Sequence, residues 1–94
     1  MNLGETIRRL RKEHGLSLKE VAAKAGISNN ALSAIEKDKS FPKIETFDAI
    51  CEAIGCPRYL VLAECVTIDD VPPEKREAFS VIWPPLMNYL RSTK

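Results

Sequence analysis

The chain has 94 residues, of which 45% are hydrophobic and 29% charged, and its formal net charge is +1. These values predict one small globular domain with a short appended element, and they exclude a chain dominated by disorder. No run of 18 apolar residues occurs, so we expect no membrane-spanning segment. The first residues lack the basic and apolar regions of a secretory signal, so we expect a cytoplasmic protein.

The cysteine pattern argues against both a disulfide framework and a zinc site. Cys51, Cys56 and Cys65 form no Cys-x-x-Cys pair, and the single histidine, His14, lies far away in the sequence. We expect free thiols in a reducing compartment, acting as small buried hydrophobes, with a redox sensor as the alternative. We expect no metal ion, no cofactor and no catalytic residue.

The charges are unevenly distributed along the chain. Residues 1–43 hold nine cations and five anions, whereas residues 44–65 hold one cation and four anions. Such asymmetry can orient a protein on a polyanion even when the total charge is near zero. The pattern therefore permits a nucleic-acid partner without requiring one.

Apolar residues recur at helical spacing, and glycine or proline interrupts them at short intervals, which predicts an all-α fold. The first helix ends at Gly15, where a left-handed residue terminates it. Ser17 and Glu20 have the spacing of a capping box that opens the second helix. That helix runs to about residue 25, and Gly26 ends it.

Three more helices are predicted before residue 66. Ser28 is the expected N-cap of a third helix that reaches about Lys37. The fourth spans about 44–54 and is expected to bury five side chains: Ile44, Phe47, Ile50, Cys51 and Ile54. Pro57 suits the first turn of a fifth helix, which ends near Cys65.

The C-terminal region combines a linker, residues 66–73, with one apolar stripe at helical period: Ala78, Phe79, Ile82, Trp83, Leu86, Met87 and Leu90. Pro84 and Pro85 interrupt this stripe, so we expect two short helices or one sharply kinked helix. The stripe either covers its own domain or forms a dimer interface. We favour a dimer interface made by Phe79, Ile82, Trp83, Leu86, Met87 and Leu90, because an uncovered stripe of this kind is unusual on a monomer.

The second and third helices have the features of a helix-turn-helix. This motif needs a small residue where the two helices touch and a glycine in the turn, which Ala22 and Gly26 supply. Apolar side chains must also hold both helices to the core, and Val21, Ala25, Ile27, Leu32 and Ile35 have suitable positions.

Residues 4–62 resemble the Cro/CI-type, or XRE, helix-turn-helix family of DNA-binding regulators. The segments GETIRRLRKEHGLSLKEVAAKAGIS and LSAIEKDKSFPKIETFDAICEAIG carry the resemblance. It implies a five-helix, lambda-repressor-like DNA-binding domain in residues 1–65, followed by a helical dimerisation extension in residues 66–94. It also implies that residues 28–36 form the recognition helix, and that Arg11 and Glu36 form a structural ion pair.

The resemblance places ten positions against DNA. The asparagines can bond adenine edges, and the lysines of the following loop can contact phosphates. The ten are Ser17, Ser28, Asn29, Asn30, Ser33, Ala34, Lys37, Lys39, Ser40 and Lys43. The sequence departs from the family pattern at Leu18, where a glutamine is common, and at Asp38, where a glycine is usual. The short recognition side chains indicate that specificity rests partly on DNA shape.

The predicted function is a homodimeric transcriptional repressor that binds an inverted-repeat operator in double-stranded DNA. Two alternatives remain open: an antitoxin-like regulator whose tail binds a partner protein, and a protein-interaction module that binds no DNA. An enzyme is the least expected class, and no membrane partner is predicted.

Overall fold

The computed structural model describes residues 2–92. Six α-helices occur in this range, and no β-strand does: α1 (Leu3–Glu13), α2 (Leu18–Ala25), α3 (Asn29–Glu36), α4 (Ile44–Ile54), α5 (Arg58–Cys65) and α6 (Arg76–Ser92). Two 3₁₀ turns, Ile68–Asp70 and Pro73–Lys75, lie between α5 and α6, and the second extends two residues beyond the predicted linker. The all-α prediction is confirmed. Residues 1, 93 and 94, which the predicted regions 1–65 and 66–94 include, lie outside the described range.

The first five helices enclose one hydrophobic core. Helix α2 packs against α3 and α4, while α1 packs against α3 and α5. The buried side chains of this core are Leu3, Ile7, Leu10, Val21, Ala22, Leu32, Ile35, Phe47, Ile50, Cys51, Ile54, Cys56, Val61 and Cys65. Because α1 and α2 both contact α3, the position of α3 depends on packing that involves most of the core.

The predicted end of α3 has the expected left-handed residue. Asp38 has φ +58°, and its Oδ1 accepts a hydrogen bond from the backbone N–H of Gly4 at 3.1 Å. Aspartate visits this region more readily than most residues with a Cβ. The carboxylate thus satisfies one N–H in the first turn of α1 and ties that turn to the end of α3.

At Gly4 the backbone of α1 passes very close to the end of α3. A Cβ at this position would lie 2.5 Å from the carbonyl oxygen of Ile35 and 2.7 Å from that of Glu36. Both atoms belong to the backbone, so neither can move without displacing the end of α3. The sequence analysis did not single out Gly4.

We expect Gly4→Ala to destabilise the fold by about 1–3 kcal/mol, since the added methyl group forces two helices apart. Urea unfolding followed by circular dichroism measures this change. Glu5→Ala, at the exposed neighbouring position, is the control and is expected to stay within about 0.5 kcal/mol of the unmodified chain. An unchanged unfolding midpoint for Gly4→Ala would contradict the close approach.

The prediction that Ile44 is buried is wrong, because its side chain is 60% exposed. Ile44 is the first residue of α4 and lies at the rim of the core. There it lines a shallow apolar groove with Phe41 and Leu62, both of which are also exposed. The other four predicted α4 residues are buried as expected.

The C-terminal stripe forms one α-helix, α6, that contains Pro84 and Pro85, so the two-helix alternative is wrong. A proline within a helix cannot donate to the carbonyl four residues earlier, which here belongs to Ser80 or Val81. Both residues are exposed, so water can hydrogen-bond those carbonyls. Within residues 2–92, no helix combines the length and apolar content that crossing a membrane requires.

The three cysteines are buried free thiols. Burial raises the pKa of all three thiols, and the pKa of Cys51 reaches about 12. The Cys65 thiol also donates to the carbonyl oxygen of Val61 at 3.1 Å. Because the thiolate is the reactive form, the raised values favour the structural role over the redox sensor.

We expect the folded chain at pH 8 to react slowly with the thiol reagent DTNB. Urea-unfolded chain should release three equivalents of thionitrobenzoate at once, which provides the internal control. Rapid labelling of one thiol in the folded state would instead favour a sensing cysteine.

Candidate nucleic-acid interface

Gly26 is the pivot between α2 and α3. It has φ +72°, a conformation that is costly for residues with a Cβ. The backbone N–H groups of Gly26 and Ile27 donate to carbonyl oxygens of Ala23 and Ala22, which fastens the turn to the end of α2. The fully buried Ala22 provides the small contact that the sequence predicted. The turn therefore directs α3 away from α2 at a fixed angle.

Serine caps begin both helices of the motif. The Oγ atom of Ser17 accepts from the N–H of Glu20, and that of Ser28 accepts from the N–H of Ala31, each at 3.0 Å. Glu20 completes the predicted capping box through its bond with the backbone N–H of Ser17. Each serine hydroxyl still has its own proton to donate, so capping leaves it able to bond a phosphate oxygen.

Helix α3 has one buried side and one exposed side. Leu32, Ile35 and Glu36 are buried against the core. Asn29 and Asn30 are exposed, whereas Ser33 and Ala34 are half-buried. We call the exposed side, with the five residues Ser28, Asn29, Asn30, Ser33 and Ala34, the α3 surface. It presents amide and hydroxyl groups beside small side chains, as the sequence analysis expected.

The buried ion pair between Arg11 and Glu36 holds the end of α3 against α1. The Arg11 Nε donates to Glu36 Oε2 at 2.8 Å, and Nη2 donates to Oε1 at 3.1 Å. The two side chains are only 9% and 5% exposed. Arg11 Nη1 also donates to the carbonyl oxygen of Leu16 at 2.9 Å. The hydrogen bonds to Glu36 raise the pKa of Arg11, and the predicted structural role of this pair is confirmed.

Exposed cations follow the α3 surface along the chain. Lys37, Lys39 and Lys43 are all exposed, as is Ser40. Glu36 is paired with Arg11, so Asp38 is the one anion within residues 36–43 that offsets the three lysines. The loop between α3 and α4 therefore carries a net positive charge.

The structure adds Arg8 to this region. Arg8 is exposed on α1 and lines a cleft with Ser33, Lys37 and Leu18. Sequence reasoning missed it because the basic run of α1 offers several arginines, and only the fold separates the buried Arg11 from the exposed Arg8. Leu18 occupies the wall of the same cleft, where its apolar side chain cannot donate a hydrogen bond.

Helix α6 divides the six residues predicted to form the dimer interface. Met87 is 4% exposed and packs within its own chain. Phe79, Trp83 and Leu90 are half-buried, and the Phe79 and Trp83 rings stack with centroids 5.0 Å apart. Of the six, only Ile82 and Leu86 are exposed. Val81 and Tyr89, which were not predicted to belong to the interface, are exposed beside them. We call Val81, Ile82, Leu86 and Tyr89 the outer face of α6; these four side chains are 41–71% exposed.

Comparison with known proteins agrees with this geometry. A family model described as Helix-turn-helix matches residues 7–60. Over 74 residues the chain is 31% identical to an immunity repressor protein of Bacillus phage phi105, a match that covers 79% of this chain and 51% of the repressor. It is 34% identical over 71 residues to y4dJ of Sinorhizobium fredii, described as an uncharacterized HTH-type transcriptional regulator, covering 76% of this chain and 87% of that protein.

A third relative is the HTH-type transcriptional regulator SinR of Bacillus subtilis, at 33% identity over 63 residues, or 66% of this chain and 57% of SinR. The chain thus spans about half the length of the phage repressor and somewhat more of SinR. The matched region contains the pivot, the α3 surface and the buried ion pair. The chain belongs to the Cro/CI-type (XRE) helix-turn-helix family.

Proposed function

We propose that this chain is a DNA-binding transcriptional regulator that acts in the cytoplasm as a homodimeric repressor on an inverted-repeat operator. The observation that carries the proposal is the α3 surface, which the Gly26 pivot turns outward while the Arg11–Glu36 pair holds it to the core. Asn29 and Asn30 have the donor and acceptor pair that matches adenine N7 and N6 in the major groove. A DNA-reading role for these residues is consistent with relatives that are named as regulators and as a repressor.

The same proposal assigns phosphate contacts to the surrounding groups. Lys37, Lys39 and Lys43 lie after α3, and Arg8 lies across the cleft from Ser33. The hydroxyls of Ser17, Ser28 and Ser40 are also exposed and can donate to phosphate oxygens. Ala34, which has no polar side chain, would contribute shape complementarity or contact a thymine methyl group.

Dimerisation is proposed to occur through residues 66–94, by way of the outer face of α6. One recognition helix contacts only a few base pairs, and two-fold symmetry doubles the contacts on a palindromic site. Helix α6 has a wide apolar side that stays exposed at its outer face, and such a side is expected to be covered. Light scattering of the purified chain distinguishes the alternatives: a monomer at all concentrations favours the antitoxin-like regulator, whose tail binds a different protein.

The test of DNA reading begins with selection of bound sequences from a random duplex pool. We expect one enriched inverted repeat, and we expect Asn30→Ala to lose about 1–3 kcal/mol of affinity for it, or about 5- to 150-fold. Fluorescence anisotropy at fixed salt measures the change.

Glu52→Ala is the control for that experiment. Glu52 is exposed near the far end of α4, about 13 Å along the helix axis from Lys43 at the end of the preceding loop. We expect it to bind the operator as the unmodified chain does. Equal, weak binding to every sequence would favour the protein-interaction module, and an unaltered affinity of Asn30→Ala would remove that residue from the interface.

A further inference from the structure

A single carboxylate, Glu64, joins three helices on the side of the domain that carries α6. Its Oε1 and Oε2 accept from Nη2 and Nε of Arg91, both at 2.8 Å, and Oε1 also accepts from Nη2 of Arg9 at 3.2 Å. The Glu64 side chain is only 8% exposed. Glu64 belongs to α5, Arg9 to α1 and Arg91 to the last turns of α6. A bidentate pair fixes the direction of both side chains as well as their distance.

The other contacts of α6 with the domain are mostly apolar and partial. Met87 is the one buried residue of α6 among its described positions, and Phe79, Trp83 and Leu90 are half-buried. At the other end of the helix, Arg76 Nε donates to the carbonyl oxygen of Val71 at 3.0 Å, a bond that joins the start of α6 to the linker. The linker between α5 and α6 contains only two 3₁₀ turns of three residues each. The Glu64–Arg91 pair is therefore a direct polar restraint, made by two hydrogen bonds, on the angle at which α6 leaves the domain.

The charges around Glu64 favour the arrangement in which its carboxylate pairs with Arg91 and Arg9. The hydrogen bonds from Arg91, with the charges of Arg91 and Arg9, lower the pKa of Glu64, so the carboxylate is ionised at neutral pH. Arg9 also donates to Glu13 at 3.0 Å, which orients its guanidinium along α1. Helix α1 in turn contacts α3, so a continuous packed path leads from α6 to the α3 surface.

We propose that Glu64 is a positioning residue that holds α6 at one angle to the DNA-reading domain and so restricts the dimer to one operator half-site spacing. This inference rests on the proposed homodimer. One added base pair rotates the second half-site by about 35° and moves it by about 3.4 Å. A dimer with a rigid α6 cannot follow that rotation, whereas a dimer with a freed α6 can turn about the linker.

The test measures the affinity of the unmodified chain and its variants for a set of palindromic duplexes. Each duplex carries the selected half-site twice, at spacings from two base pairs shorter to two base pairs longer than in the enriched inverted repeat. Arg91→Gln removes the α6 side of the pair and leaves Glu64 with Arg9. Arg58→Gln is the control, since it breaks an exposed pair with Asp48, 3.0 Å long, between α4 and α5. Sedimentation velocity on all three proteins establishes their oligomeric state.

We expect the unmodified chain and Arg58→Gln to prefer one spacing by about tenfold or more over its neighbours. Arg91→Gln should remain dimeric, bind an isolated half-site with unchanged affinity, and discriminate less than about threefold between spacings. An equally sharp preference in Arg91→Gln would overturn the positioning role and leave the dimer intact. A monomeric unmodified chain would overturn the dimer itself and the positioning role with it.

Discussion

Arg11→Met is expected to destabilise the fold by about 3–5 kcal/mol, because it leaves the Glu36 carboxylate buried without its partner. Glu36 is 5% exposed, so water cannot replace the guanidinium. The carbonyl oxygen of Leu16 also loses its donor. In a protein of this size the change corresponds to a fall in Tm of about 12 °C or more. Thermal and urea unfolding at pH 7 and one protein concentration measure it.

Two further variants test whether the loss of stability in Arg11→Met arises from the burial of the ion pair. Arg58→Met breaks an exposed ion pair and should cost no more than about 1 kcal/mol. The double variant Arg11→Met/Glu36→Leu replaces the buried pair with apolar groups and should recover most of the stability that Arg11→Met loses. Stability near that of the unmodified chain in Arg11→Met alone would mean that the pair is solvated in solution.

The double variant Ile82→Glu/Leu86→Glu is expected to prevent dimerisation and to lower operator affinity by about 100-fold or more. Both side chains lie on the outer face of α6, with 61% and 41% exposure, so their replacement disturbs the packing of the monomer less than replacement of the buried Met87 would. Two carboxylates would be buried without partners in a self-paired apolar face. Loss of the second half-site removes the gain from bivalent binding, which commonly reaches 10²–10⁴.

Ser80→Glu is the matched control on the same helix. Ser80 is exposed and lies about 120° around the helix from Leu86 at 100° per residue. Its oligomeric state and operator affinity should equal those of the unmodified chain. A variant that stays dimeric despite both glutamates would place the interface on another surface, and the exposed groove beside Ile44 would be the next to examine.

The helix ends of residues 2–65 could be predicted because local chemistry determines them. Ser17 and Ser28 cap helices through bonds within three residues, and Gly26 terminates α2 through its own backbone conformation. These signals need no knowledge of distant contacts. The α3 surface could be predicted for the same reason, since its exposure follows from the helical period and the pivot.

Features that depend on contacts between distant residues were missed. Gly4 is needed because the end of α3 passes within van der Waals distance, and nothing in its neighbouring residues indicates that approach. Ile44 fits the apolar period of α4, yet it lies at the rim of the core and is 60% exposed, which the period alone does not reveal. Glu64 pairs with Arg9, 55 positions away in the sequence, and with Arg91, 27 positions away, so no local pattern could reveal this network.

The tail shows where the local rule for proline was applied too strictly. Pro84 and Pro85 remove two backbone donors, but the carbonyls left without partners belong to the exposed Ser80 and Val81. Packing of Met87 and pairing of Arg91 hold the second half of the helix in place. A continuous α6 then presents an apolar side to solvent, which is the basis for the proposed dimer.

Amide chemical-shift mapping of the ¹⁵N-labelled chain during titration with its selected duplex tests the central claim most directly. We expect the large shifts to cluster at residues 28–34 and 37–43, with smaller ones at residues 8 and 17. We expect little change at residues 48–58. Large shifts confined to residues 48–58, or none at residues 28–34 at saturating DNA, would contradict the assignment of α3 as the DNA-reading helix.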